Sequence, residues 1–354
     1  MKESARQNNL DVIRIVAAMV VIFGHSFPLN WLGAPPGFLT NGVHALVVKI
    51  FFTLSGFLIA QSWASDPHLL RFFARRALRL FPALAVVLLL SALVLGPSVT
   101  TVPLRAYFAD EQVWRYLGNI SLNITYNLPG VFENNPYARA VNGSLWSLPA
   151  EVVMYFVVPP LMTLAKLSRW PRVVLWIAAI ASTAANIWFL RTPGAPVTFG
   201  FYGIALTSML DLAPYFIVGM LAYGCGWQNR ISAQTALLTY FVFSLFAGHS
   251  PVVGELALTV LMPILVMGLG FATPPRFAAV SKYGDVSYGL YLYGFVVQQT
   301  VTHLLGPHSP EFSTLVVGGI SYAFAFASWH LVEKRALRFR PSRPGAKAPQ
   351  PATS

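Results

Sequence analysis

One apolar run near the N-terminus, Asp11 to Leu29, carries an arginine and a histidine eleven residues apart, Arg14 and His25. Eleven helical steps of about 100° leave the two on nearly the same face, with roughly 16 Å of axial rise between them. Ionisable side chains inside a membrane-length segment are costly unless they meet a partner or a wet cavity. A neutral imidazole takes protons from hydroxyls near neutral pH, and a guanidinium fork suits phosphate. The same pair is also what a snorkelling arginine and a histidine packed against a neighbouring helix would look like. On these two residues alone both readings stay open.

Further residues of the same kind follow in a fixed order. Arg71, Arg75, Arg76 and Arg79 form the densest basic cluster before the C-terminal tail, and Arg75 and Arg79 stand four apart, on one helix face. Such clusters hold loops in the cytoplasm and bind anionic lipid; arginine forks also bind pyrophosphate. In Asn142-Gly143-Ser144-Leu145-Trp146-Ser147, followed by Glu151 and Tyr155, the last two residues lie at i and i+4 within an apolar run. A carboxylate at that depth needs a partner, with His25 or an arginine as candidates, or else it fixes packing between helices. Ser287 and Tyr291 share a face of a later run, where tyrosines read first as interfacial anchors. His330 and Glu333 are three apart without a third ligand nearby, so a helix-end contact is expected and no metal site. Walker, nucleophile-elbow and H-E-x-x-H motifs are absent from the sequence.

The elements that must position these residues are apolar throughout. Of 354 residues, 56% are hydrophobic and only 10% charged, and the mean hydropathy is +0.60. A soluble domain carries about a quarter charged residues, so the chain reads as an all-α, polytopic integral membrane protein. The formal charge of +12 does not point to nucleic acid, because the basic residues sit in short clusters between apolar runs. The single cysteine, Cys225, excludes an intrachain disulfide. The N-terminal run ends without a small-x-small site and is kept as the first span.

Ten spans are expected, near residues 11–29, 44–63, 80–95, 145–167, 173–190, 199–226, 235–247, 252–271, 284–305 and 312–332. The sixth is preceded by a partial segment around 202–210, and the seventh is short. Residues 98–143 form the one long outer segment, whose part from Val113 to Phe132 is apolar enough to lie on the membrane or dip into it. With this layout 18 of the 24 lysines and arginines fall on one side, which predicts cytoplasmic N- and C-termini. Residues 1–340 read as one transmembrane domain and 341–354 as a disordered cytoplasmic tail.

Taken together, the motifs resemble those of the membrane-bound acyltransferase-3 family, whose members O-acylate extracytoplasmic carbohydrates. The resemblance runs through Leu10-Asp11-x-x-Arg14 with His25, Phe51-Phe52-x-Leu54-Ser55-Gly56-Phe57, and Arg75-Arg76-x-x-Arg79-x-x-Pro82. It continues through Asn142-Gly-Ser-Leu-Trp146-Ser147-Leu148-x-x-Glu151 and Ser287-Tyr288-x-x-Tyr291-Leu292 to Val332-Glu333-Lys334. Two positions depart from it: Gly294, where members often carry histidine, and Lys49, where many carry an acid. The resemblance implies a bacterial inner-membrane enzyme that moves an acyl group, usually acetyl, from cytosolic acetyl-CoA or another acyl-CoA to a hydroxyl. The acceptor would be a surface glycan or a lipid-linked saccharide. It implies His25 as the catalytic group and the Arg76-x-x-Arg79 motif as the donor-binding element. Position adds Arg14 and Arg75 to the donor-binding candidates and Glu151 as the expected orienting partner of the imidazole. Asn142, Ser144, Trp146, Tyr155, Ser287 and Tyr291 are the candidates for substrate contacts, Asn142, Ser144 or Ser55 among them for an oxyanion. Membrane lipid is an expected partner; oligomeric state is not specified. Two other classes stay open: a proton-coupled exporter of a polysaccharide or acyl group, and a structural partner in an envelope-assembly complex.

Overall fold

The computed structural model describes residues 8–39, 41–192, 206–245, 250–272 and 284–342. Apolar runs become helices because a backbone in lipid must satisfy its own hydrogen bonds. The long helices are α1 (Leu10–Leu29), α2 (Val43–Ser65), α3 (Leu69–Val99), α4 (Ser147–Leu167) and α5 (Pro171–Arg191). They continue with α6 (Leu206–Cys225), α7 (Ala233–Leu245), α8 (Pro251–Gly270), α9 (Ser287–Leu305) and α10 (Pro310–Phe339). Among the described residues, eight of these are long and apolar enough to cross a membrane. The other two are α7, which is short at 13 residues, and α9, which has the length but is more polar. The only β-structure among the described residues is a two-residue antiparallel pair, Gly37–Phe38 with Asn41–Gly42, and an isolated bridge. The chain is therefore an all-α, multi-pass membrane protein.

The polarity of α9 has a simple cause. Fourteen of its 19 residues are buried, Gln298 and Gln299 among them, so it meets protein rather than lipid. It packs against α1, α3 and α10. Helix α1 in turn separates two apolar cores. Ala18 and Ile22 join the core of α3, α9 and the outer segment, whereas Ala17 and Val21 join that of α2, α4, α6 and α8. Helices α2 and α6 touch backbone to backbone. A Cβ at Gly56 would stand 1.9 Å from the Phe216 carbonyl oxygen, and one at Gly219 2.2 Å from that of Thr53. Small residues at such crossings are how helices gain contact in lipid, where water supplies no drive to associate.

Three expectations change. The third span, expected over 80–95 with the basic cluster opening it, begins earlier, at Leu69, so that residues 71–79 form its first turns. The outer segment, with its stretch from Val113 to Phe132 expected to lie on the membrane or dip into it, is folded onto the helices. Two short helices, Leu104–Ala109 and Glu111–Leu117, fold it back, and Val113, Tyr116, Leu128, Val131 and Phe132 join the core of α3 and α9. These buried residues serve packing, while Trp114 and Ile120 stay exposed; Tyr107 donates its hydroxyl 2.8 Å to the carbonyl of Ala92, inside a π-turn of α3. The last span is longer than its apolar core and is broken by π-turns at Ser313–Val317 and Trp329–Glu333. Residues 202–205, Arg276, Lys282 and most of the expected tail (343–354) lie outside the described residues.

Candidate active site

Residues from the N-terminal half of α1, from α2, α3 and α4, and from the start of α9 enclose a cavity of about 240 Å³. Arg14, Arg76, Arg79, Glu151, Tyr155, Ser287 and Tyr291 all line it, which brings together seven of the twelve candidates, with Ser55 and Ser147 beside them. Arg340 also faces it.

Most charges here already have partners. Arg79 reaches Glu333 with one nitrogen (Nη1–Oε2, 2.7 Å) and Asp285 with the other (Nη2–Oδ2, 2.6 Å). Arg14 donates to the same Asp285 oxygen at 3.3 Å and lies 3.8 Å from Asp11. The Ser287 hydroxyl donates 2.6 Å to the other oxygen of Asp285. Burial raises the pKa of Asp285, but Arg79, Arg14 and the Ser287 bonds outweigh it and hold the carboxyl down at about 2. The second π-turn of α10 supplies both Glu333 and Trp329, whose ring lies 5.8 Å from the Arg79 guanidinium. Extra-residue turns of this kind recur at functional sites.

Arg75 turns elsewhere. Together with Arg71 it binds Asp66, in the link between α2 and α3, with Nη–Oδ distances of 2.7 Å from each arginine. The Arg71 hydrogen bond, followed by that of Arg75, holds the Asp66 carboxyl well below its usual range. Arg76 makes no hydrogen bond or ion pair among the described residues, and its Nε is buried without a partner.

Glu151 accepts from the hydroxyls of Tyr155 (2.7 Å) and Ser55 (3.0 Å). No hydrogen bond joins it to His25. The reason is depth: eight residues beyond Gly143 carry Glu151 on the order of 12 Å along the helix, down to the cavity at the level of Ser55. Asn142 and Ser144 serve architecture. The Asn142 side chain accepts from Ser144 N (3.1 Å) and donates to Leu292 O (2.9 Å). The Tyr291 hydroxyl donates to Ser144 O (2.9 Å) and lies 2.7 Å from Ser147 Oγ. Ser144 Oγ is buried with no partner, and Trp146 packs against the α2/α4 core.

His25 lies three turns further along α1 than Arg14. Its ring is 5.5 Å from that of His44, tilted by 46°, and 5.4 Å from Phe295, edge to face. It makes no hydrogen bond among the described residues, and His44 Nδ1 is buried without a partner. Gly24 allows this approach, since a Cβ there would stand 2.7 Å from that of His44. Phe295 is one turn beyond Tyr291 on α9, about 6 Å along the axis. One helix thus carries both a cavity wall and a wall of the histidine pair. Gln299 and Asn135 clamp the outer segment onto α9 beside it.

His44, Asp285 and Arg340 were missed in the sequence as site residues. His44 and Asp285 did carry a signal, an ionisable group at the edge of an apolar run; Arg340 resembled every other basic residue of the tail. His330 and Glu333 do not pair: His330 Nδ1 lies 3.0 Å from Phe326 O, while Glu333 serves Arg79. Lys49 is wholly buried, donating to Glu255 and lying 2.9 Å from Asp211, and Glu255 also accepts from Tyr215. Its unusual charge is thus matched by two acids brought from α6 and α8.

A multi-pass helical membrane protein thus holds an arginine-lined cavity and, along the same helix, an imidazole without a hydrogen bond among the described residues: an anion site and a proton acceptor. The acyltransferase-3 family model, described as an acyltransferase domain, matches residues 7–331, and the chain belongs to that family. It is an acyltransferase. It is 26% identical over 334 residues to an O-acetyl transferase of Shigella phage Sf6, covering 94% of this chain and 96% of that one. It is likewise 26% identical to nodulation protein 10 of Rhizobium leguminosarum bv. viciae, over 96% of this chain and 95% of the relative. A third relative is acyltransferase MdmB of Streptomyces mycarofaciens, 25% identical over 87% of this chain and 85% of its own length. No solved structure matches.

Proposed function

We propose that the chain moves an acyl group, acetyl in the simplest case, from acyl-CoA at the Arg14 end of α1 to a carbohydrate hydroxyl at the His25 end. The observation that carries this reading is the layout of α1 itself. Eleven residues, roughly 16 Å, separate the charged cavity from the imidazole, a span comparable to an extended pantetheine arm. The bias of basic residues supports a cytoplasmic Arg14 end and cytoplasmic termini, and the bacterial and phage relatives support a bacterial inner membrane. The acceptor is then a surface glycan or lipid-linked saccharide on the far side, and the relative named an O-acetyl transferase supports acetyl as the group moved.

In this reading Arg14 and Arg76 meet the donor phosphates, while Asp285 and Glu333 hold Arg79 in place as part of the wall. The neutral His25 imidazole takes the proton as the sugar oxygen attacks the thioester carbonyl. The carbonyl carbon–sulfur bond then breaks, and the proton passes from the imidazolium to the departing thiolate, giving ester and free CoA. An acyl-histidine relay is the competing route; it predicts that brief incubation with labelled acyl-CoA leaves label on the protein. The direct test uses proteoliposomes with acyl-CoA on one side and glycan on the other. His25→Ala inserted at wild-type level yields no acylated glycan by mass spectrometry; normal acylation by that variant sinks the chemistry.

A further inference from the structure

The donor-side cavity is lined by four arginines and two acids: Arg14, Arg76, Arg79 and Arg340 against Glu151 and Asp285. Arg14 and Arg79 spend their charge on Asp285, and Arg79 also on Glu333. Glu151 is engaged by two hydroxyls rather than by a cation. Arg76 and Arg340 are left with neither a hydrogen bond nor an ion pair from their side chains among the described residues. They come from distant parts of the chain, the third span and the residue just after the last one, yet both face this one space.

Arg76 is half-buried and Arg340 stands on the exposed side of the cavity. Two guanidiniums brought together without a counter-charge repel, and an anion placed between them removes that repulsion. Burial, and then the positive charges of Arg76, Arg79 and Arg75, push the Arg340 pKa down, which is the electrostatic trace of the same crowding. The position of Arg340 is set rather than left to the tail. It follows a 3-10 turn, Leu337–Phe339, donates its backbone N–H to Leu337 O, and stands seven residues beyond Glu333, which is fixed to α3 through Arg79.

We propose that Arg340 is a phosphate-binding residue of this cavity, acting with Arg76, so that the residue just after the last span helps to hold an anionic nucleotide in the donor site. The proposal rests on the acyl-CoA reading above and names a contact that reading does not contain. The shared chemistry is a phosphate ester, and its source could be the nucleotide or an anionic lipid head group.

The test uses the full chain in nanodiscs of zwitterionic lipid and measures binding of CoA and of adenosine 3′,5′-bisphosphate, which has phosphates but no pantetheine arm. Arg340→Ala should weaken both by about tenfold or more, the scale of one charge-assisted hydrogen bond, and Arg340→Lys should recover part of the loss. An unchanged thermal midpoint separates this from misfolding. Equal binding by wild type and Arg340→Ala overturns the proposal while leaving the donor reading intact. If the wild type binds CoA no better than pantetheine, the donor reading itself falls. Should the substitution matter only after anionic lipid is added, the nucleotide contact is wrong and the site is a lipid head-group site.

Discussion

The two ends of α1 are built on opposite plans. Around Arg14 a fixed set of ion pairs forms the wall, with Asp285 shared by Arg14 and Arg79 and Glu333 reserved for Arg79. Arg76 and Arg340 face the same space without an ion pair among the described residues. Around His25 two imidazoles face one another with no hydrogen bond for His25 and an orphaned, buried Nδ1 on His44. A cavity that recognises by charge gains from having its cations held before the ligand arrives. A proton acceptor gains from the reverse, because the missing hydrogen bond is the one its reactant brings. The wall between them is α9, where Tyr291 belongs to the first region and Phe295 to the second.

The contrast is most severely tested at His25. His25→Ala should lower transfer by about 10²- to 10⁴-fold, the contribution of a general base, with CoA affinity at the wild-type value. A parallel loss of CoA affinity would show the two ends to be one site. At the other end, Asp285→Asn removes the counter-charge shared by Arg14 and Arg79 and should cost about 2 kcal/mol of stability, read as a lower thermal midpoint in detergent. The pH dependence has a defined sign. Because the folded-state pKa of Asp285 lies at about 2, below its ordinary 3.8, its stabilisation is fully present above about pH 4 and disappears as pH falls through 2. The midpoint of the wild type should therefore hold from neutral pH to about pH 4.5 and drop below it, and Asp285→Asn should flatten that drop.

Smaller effects sharpen the picture. His44→Gln keeps a polar group beside His25 but not a second imidazole. A loss of about fivefold in kcat, the scale of one neutral hydrogen bond, with unaltered CoA binding is the expected result. No change in kcat would make His44 packing only. Least of all should come from Asp66→Asn, which frees Arg71 and Arg75 at the edge of the structure. Under about 1 kcal/mol is expected for such a pair, and a change in CoA affinity would mean that Arg75 belongs to the donor cavity after all.

How far the sequence could reach follows from what each signal measures. Hydropathy located the helices because lipid imposes it, and the expense of Arg14 and His25 in lipid marked them before any neighbour was known. It failed where protein replaces lipid. The tyrosines of α9 resemble interfacial anchors in sequence, yet Tyr291 and Tyr288 hold the core, and Val113 to Phe132 looked membrane-seeking for the same reason. Arginines at 71–79 lowered the local hydropathy and hid the first turns of α3. Pairing was the least legible part. Glu151 stands near the start of α4 and His25 near the end of α1, but depth and facing differ by enough to give Glu151 to Ser55 and Tyr155. The match of Arg79 to Glu333 spans 254 residues and depends on a π-turn that no local pattern announces.

The burial of α9 on all sides also bears on how the protein is made. Gln298 donates 2.7 Å to the carbonyl of Ile22 in α1, Tyr288 to that of Leu80 in α3, and Gln299 to Ala140 in the outer segment. Every one of those acceptors precedes α9 in the chain. A helix carrying two glutamines partitions poorly into lipid by itself, and ribosomal order delivers its partners before the helix that needs them. Synthesis from the N-terminus thus lets the least lipid-compatible span meet its polar acceptors first, with α10 packing over it afterwards.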